Sequence, residues 1–238
     1  VLNWSAYVEK FTVVRVSIVT TKHVYTGEYN LVTTWLWYLD GEFHREHDLP
    51  AVISTSGYRT WYRYGRLHRD HGRPAHVDWD GSSKWFQRGI KHRDQDRPAF
   101  ISTFGSRKWY QHGFPHRDHD RPSNVYISLC EWRRHGKLHR DNDLPAHVGG
   151  CITKWYQDGQ LHRDHDRPAR IAENGYRTWY QHGRMQRSHD RPARICTGGT
   201  RVWFRQGIEH RDHDRPTKIH GNGTRKWYRL GGSARKRA

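Results

Sequence analysis

The sequence predicts an all-β protein: an elongated array of about eight β-hairpin repeats of 23–24 residues, forming a ribbon or solenoid behind an N-terminal β cap. Three observations lead there. One unit, Trp-aromatic-x-x-Gly followed three residues later by His-Arg-Asp-x-Asp-Arg-Pro-Ala, returns every 24 or 23 residues, and a period this short marks a stack of small modules. Short runs of β-branched and aromatic residues flank a turn signature in each unit, which is the pattern of paired strands. The composition, 34% hydrophobic with a mean hydropathy of −1.10, suits a thin array better than a thick core. Twelve Trp, 13 Tyr and 7 Phe are too much aromatic surface for a disordered chain.

Residues 1–30 lack the motif but contain strand-like runs at 11–19 and 23–29, as expected of a cap that covers the end of an array. The stretch Phe11 to Thr20 is interrupted by Arg15 and is too short to span a bilayer. Residues 31–230 form the array. Each module opens on a strand such as Ala99-Phe100-Ile101-Ser102 and turns on sequences such as Glu173-Asn174-Gly175. It returns on a strand such as Arg107-Lys108-Trp109-Tyr110-Gln111.

Trp to Gly is always four residues and Gly to Pro always nine. Pro to the next Trp is 11 residues, but 10 after Pro122 and Pro145, so the turn in that segment is able to lose a residue. Alternation along the strand puts each Trp and the aromatic after it on opposite faces. The repeat-defining positions are Trp61, Gly65, Trp85, Gly89, Trp109 and Gly113, with His92, Asp94, Asp96, Pro98, His116, Asp118, Asp120 and Pro122. Residues 231–238 form a flexible basic tail.

His-Arg-Asp is a triplet of protein-kinase catalytic loops, but here it occurs six times, without a glycine-rich loop or Asp-Phe-Gly. In extended backbone His92, Asp94 and Asp96 would share a face and could approach a divalent ion. The copy at 186–192 has Gln186 and Ser188 in place of His and Asp, and another has Gly72 in place of the second Asp, with the period undisturbed. The intervening Arg93 and Arg97 are the expected partners of those carboxylates. The motif therefore reads as structural, with no catalytic residue, no metal site and no cofactor. Cys130, Cys151 and Cys196 are odd in number and lack ligand spacing, which fits a reducing, intracellular compartment.

The net charge is +18, yet the eight His-to-Pro segments sum to zero, so the excess lies mainly in the hairpins. It clusters around Trp, at Arg59 and Arg63, Lys84 and Arg88, Arg107 and Lys108, and Arg225, Lys226 and Arg229. These are the candidate partner-binding residues. An acidic protein surface would complement them, and nucleic acid is the alternative. The histidines, such as His116 with His119, would gain charge in acid and weaken module packing or self-association.

The run Tyr156-Gln157-Asp158-Gly159-Gln160-Leu161-His162 resembles the MORN repeat, whose units carry aromatic-x-x-Gly-x-x-His-Gly at a similar period. The resemblance covers about residues 35–231 and is nearest to variant MORN-like arrays common in giant viruses. Here Arg-Asp-x-Asp-Arg-Pro stands where that repeat has glycines, so lipid binding is not carried over. The resemblance implies a non-enzymatic scaffold for protein-protein interaction, including a virion or capsid-associated component. The contrasting expectation is a basic nucleic-acid-binding or packaging protein.

Overall fold

The computed structural model describes residues 6–9, 12–25 and 28–228. Arg229, the expected tail and parts of the expected cap lie outside the described residues. The described chain is all-β, without a helix, and divides into two compact units, Val1–Asp118 with Asn124–Ile127, and His119–Ser123 with Ser128–Ala238.

In the first unit a continuous antiparallel ladder runs through Ala6–Glu9, Thr12–Tyr25, Glu28–Leu39, Val52–Ser54 and Arg59–Thr60. It continues through His76–Val77, Ser83–Lys84, Phe100–Ile101, Arg107–Lys108 and Asn124–Val125. The strand Glu28–Leu39 crosses residue 30, so the cap and the first module share a strand. In the second unit the ladder passes through Leu129–Glu131, His147–Gly149, Ile152–Lys154, Arg170–Ala172 and Arg177–Thr178. Arg194–Ile195, Arg201–Val202, Lys218–Ile219 and Arg225–Lys226 complete it.

The variable segment is a hairpin turn, as its length change implies. In an 11-residue copy, Ser102 N–H donates to Ser106 O at 2.9 Å and Gly105 N–H to Ser102 O at 3.0 Å, with Gly105 at φ +80°. After Pro145 the turn contracts to Gly150-Cys151, both left-handed, which matches the right-handed twist of the strands it joins.

The module differs from the expected single hairpin. The segment after Trp forms a second, two-stranded hairpin, as in Tyr110–Gln111 with Phe114–Pro115. Its turn, His112-Gly113, is left-handed at both residues (φ +49° and +84°). These small hairpins stack on one another: Gly89 N–H donates to Leu67 O at 2.8 Å and Gly113 N–H to Lys91 O at 3.2 Å. Each module therefore contributes four short strands, and the tryptophan stands at the junction of its two hairpins.

Each unit has its own column of buried tryptophans, Trp61, Trp85 and Trp109 in the first and Trp155, Trp179 and Trp203 in the second, each 6–8% exposed. Beside each column run small residues that follow Pro. Ala51, Ala75 and Ala99 in the first unit and Ala146, Ala169 and Ala193 in the second are fully buried, and Ser123 and Thr217 take the same place in the second. The carbonyl of that small residue accepts the backbone N–H of the preceding tryptophan, as Ala99 does from Trp85 at 2.9 Å. The second aromatic column is half-buried.

Candidate functional site

The repeated polar motif forms a joint between successive modules. Its centre is the arginine after His. Arg187 lies over the Trp179 ring at 3.9 Å, donates from Nη1 to Pro192 O at 3.4 Å, and reaches back to Asp166 of the preceding module. Its Nε and Nη2 meet the two carboxylate oxygens at 2.7 and 2.9 Å. The second motif arginine, Arg191, also pairs with Asp166. The Trp179 indole N–H donates to the Asp166 carbonyl at 3.0 Å. One residue thus supplies a side chain and a carbonyl to the next module.

Two consecutive left-handed residues make this reach feasible. His165 and Asp166 have φ +59° and +54°, and every described copy repeats the pair, with Gly72 at φ +65° in the copy that lacks the second Asp. The turn points the carboxylate away from its own arginines. Asp96 accordingly pairs with Arg117 of the next module, at 2.7 and 2.8 Å, and not with the flanking Arg93 and Arg97 that the sequence suggests. It is equally separate from His92, whose Nε2 meets Asp94 at 2.9 Å, so those three groups do not converge. Among the described residues no cluster of three or more His, Cys, Asp or Glu is arranged to hold a metal ion.

The arginine guanidiniums hold the joint carboxylates in their charged form. Hydrogen bonding to Arg69, with Arg73 and both charges adding to it, lowers Asp48 to about 2 against the opposing effect of burial. Asp143, Asp166 and Asp190 are lowered in the same way, chiefly by Arg163, Arg187 and Arg211. The first motif Asp serves its own module: His92 and then Gln87 hold Asp94 low. Where Gln186 and Ser188 replace that His and Asp, Gln186 bonds Gln181 at 2.8 Å instead, which explains the undisturbed period. In some copies the histidine's other nitrogen joins modules, as where Nδ1 of His162 accepts the backbone N–H of His182 at 3.1 Å.

The candidate basic residues separate into groups. Lys84 is tied to Asp78 at 2.6 Å, and Lys108 lies over Phe100 and Tyr126 at 5.3 Å each. Arg63 bonds Asp70 at 3.2 Å. Arg88 occupies the left-handed turn before Gly89, and Arg59, Arg107, Arg225 and Lys226 are exposed on strands. In the second unit Arg177, Arg201 and Arg225 stand exposed at equivalent positions of successive modules, two strands or roughly 10 Å apart.

Sequence reasoning missed one exposed edge. Trp79, Phe104 and Ile127 occupy the turn tips of three successive modules in the first unit and are 76%, 74% and 86% exposed. Adjacent tips touch, with the Thr103 hydroxyl donating to the Asp80 carbonyl. The signal was legible as a large apolar residue inside a turn where other copies carry Gly or Asn.

No family model, curated protein or solved structure matches this chain. No helix among the described residues is long and apolar enough to cross a membrane.

Proposed function

We propose that this chain is a non-enzymatic repeat scaffold that binds another protein along the turn tips of its first unit. The observation that carries this reading is the row of Trp79, Phe104 and Ile127, three large apolar side chains kept in water by a fold that buries every motif Ala. Such residues are the usual anchors of protein interfaces. Exposed Arg59 and Arg107 on the strands behind the tips, with the net charge of +18, favour a partner whose rim is acidic. The joints give the repeated Asp and Arg a structural use, which supports the non-enzymatic reading. The likeness to MORN repeats supports the same scaffold role, including one within a virion.

The test compares proteins retained from the native source by the wild type and by Trp79→Ser/Phe104→Ser/Ile127→Ser. A partner held by the wild type and lost by the triple variant, then reconstituted from purified components, supports the reading. Equal retention of every partner by both proteins rules it out.

Nucleic acid binding is the second reading, favoured by the arginine row 177, 201, 225 of the second unit. Its mark is an affinity that falls steeply with salt and is lost in Arg177→Gln/Arg201→Gln/Arg225→Gln.

A further inference from the structure

Among the described joints between motif copies, one lacks its carboxylate. The second motif Asp receives the next module's arginine at Asp48, Asp96, Asp120, Asp143, Asp166 and Asp190, always through Nε and Nη2 at 2.7–2.9 Å. The equivalent position between the modules of Trp61 and Trp85 is Gly72. The arginine that should meet a carboxylate there, Arg93, is otherwise placed like the rest. It covers the Trp85 ring at 3.9 Å and donates to Pro98 O at 3.2 Å. Its Nε, however, is buried without a hydrogen-bond partner. An unpaired N–H of a buried guanidinium is costly, about 1–3 kcal/mol or more.

A second cation stands at the same place. Arg97 corresponds to Arg73, Arg167, Arg191 and Arg215, which reach the joint carboxylate of the preceding module. Both guanidiniums line a groove of about 770 Å³. The corresponding grooves beside Asp143 and Asp190, where a carboxylate is present, measure about 360 and 420 Å³. Burial, followed by the charge of Arg97, lowers the pKa of Arg93. The two carboxylates on the groove are already engaged: Asp70 with His68 and Arg63, Asp94 with His92 and Gln87.

Glycine is not imposed by the backbone. A Cβ on Gly72 would meet nothing within 4 Å, and Asp adopts the same left-handed conformation in the other copies. The joint has both of its arginines and lacks an anion that the backbone would accept.

We propose that the Gly72 joint is a binding site for an external oxyanion whose paired oxygens replace the missing aspartate. One oxygen takes Arg93 Nε, the other takes Arg93 Nη2 and is shared with Arg97. Carboxylates and phosphates both present such an edge. The site is independent of the turn-tip edge and does not rest on the proposed protein partner.

The test is titration calorimetry and thermal unfolding of the full chain with acetate, succinate or inorganic phosphate, each against sodium chloride at equal ionic strength. We expect saturable one-to-one binding by at least one anion, and the pattern among the three distinguishes a carboxylate ligand from a phosphate. Gly72→Asp should weaken that binding about tenfold or more while raising the melting temperature. Arg93→Gln should also lose it, and Asp166→Gly should create a second site of similar affinity. Binding unchanged in Gly72→Asp, or no response of the wild type beyond that to chloride, would overturn the proposal.

Discussion

Replacing Asp166 by Gly tests how strongly the joint holds modules together. Glycine is the suitable probe because the chain itself carries Gly72 at the equivalent left-handed position, so φ +54° is kept without strain. The backbone carbonyl that receives the Trp179 indole also survives. What is lost is a carboxylate bonded at 2.7 and 2.9 Å to Arg187 and paired with Arg191. Charged hydrogen bonds contribute about 1.5–3 kcal/mol each when well shielded. Asp166 and Arg191 are 29% and 52% exposed, so water replaces part of that. Arg187 is only 16% exposed and retains an unsatisfied Nε. The net destabilisation expected is about 2 kcal/mol, or roughly 8 °C if the second unit melts as one. Denaturant and thermal unfolding measure it, and a double-mutant cycle with Arg187→Met should show coupling of about 1–2 kcal/mol. A change below about 0.5 kcal/mol with no coupling would refute the joint as a stabilising element.

The same contacts make stability depend on pH. Asp48 is lowered to about 2 in the folded protein, so its contribution is fully present above pH about 4 and disappears as pH falls towards 2. With Asp143, Asp166 and Asp190 lowered in the same direction, thermal unfolding followed from pH 5 to 2 should show a steep loss of stability in that window. Asp48→Gly should show a shallower one.

The ladder of hairpins was legible because two signals agreed, alternation around each Trp and a turn whose length alone varies, at Pro122 and Pro145. The second hairpin was not, because its strands are two residues long and its left-handed turns begin on Tyr64, Arg88 or Gln206, residues that do not announce positive φ. The partners of the carboxylates were misassigned for the same reason. A local reading pairs Asp96 with Arg97 next to it, whereas two left-handed residues turn it towards Arg117, 21 positions on. Gly72 looked like tolerated variation. Only the buried Nε of Arg93 shows that the variation leaves something unmatched.

If the repeated motif is a joint that grips each tryptophan through the preceding turn, hydrogen exchange of the indole N–H groups in tryptophan-labelled protein should reveal it. Trp61, Trp85, Trp109, Trp155, Trp179 and Trp203 donate to the carbonyls of residues 48, 72, 96, 143, 166 and 190 at 2.8–3.0 Å, so their indoles should exchange slowly and as a group. Trp79, 76% exposed at its turn tip, should exchange at the solvent rate. Motif indoles exchanging as fast as Trp79 under native conditions would contradict the claim.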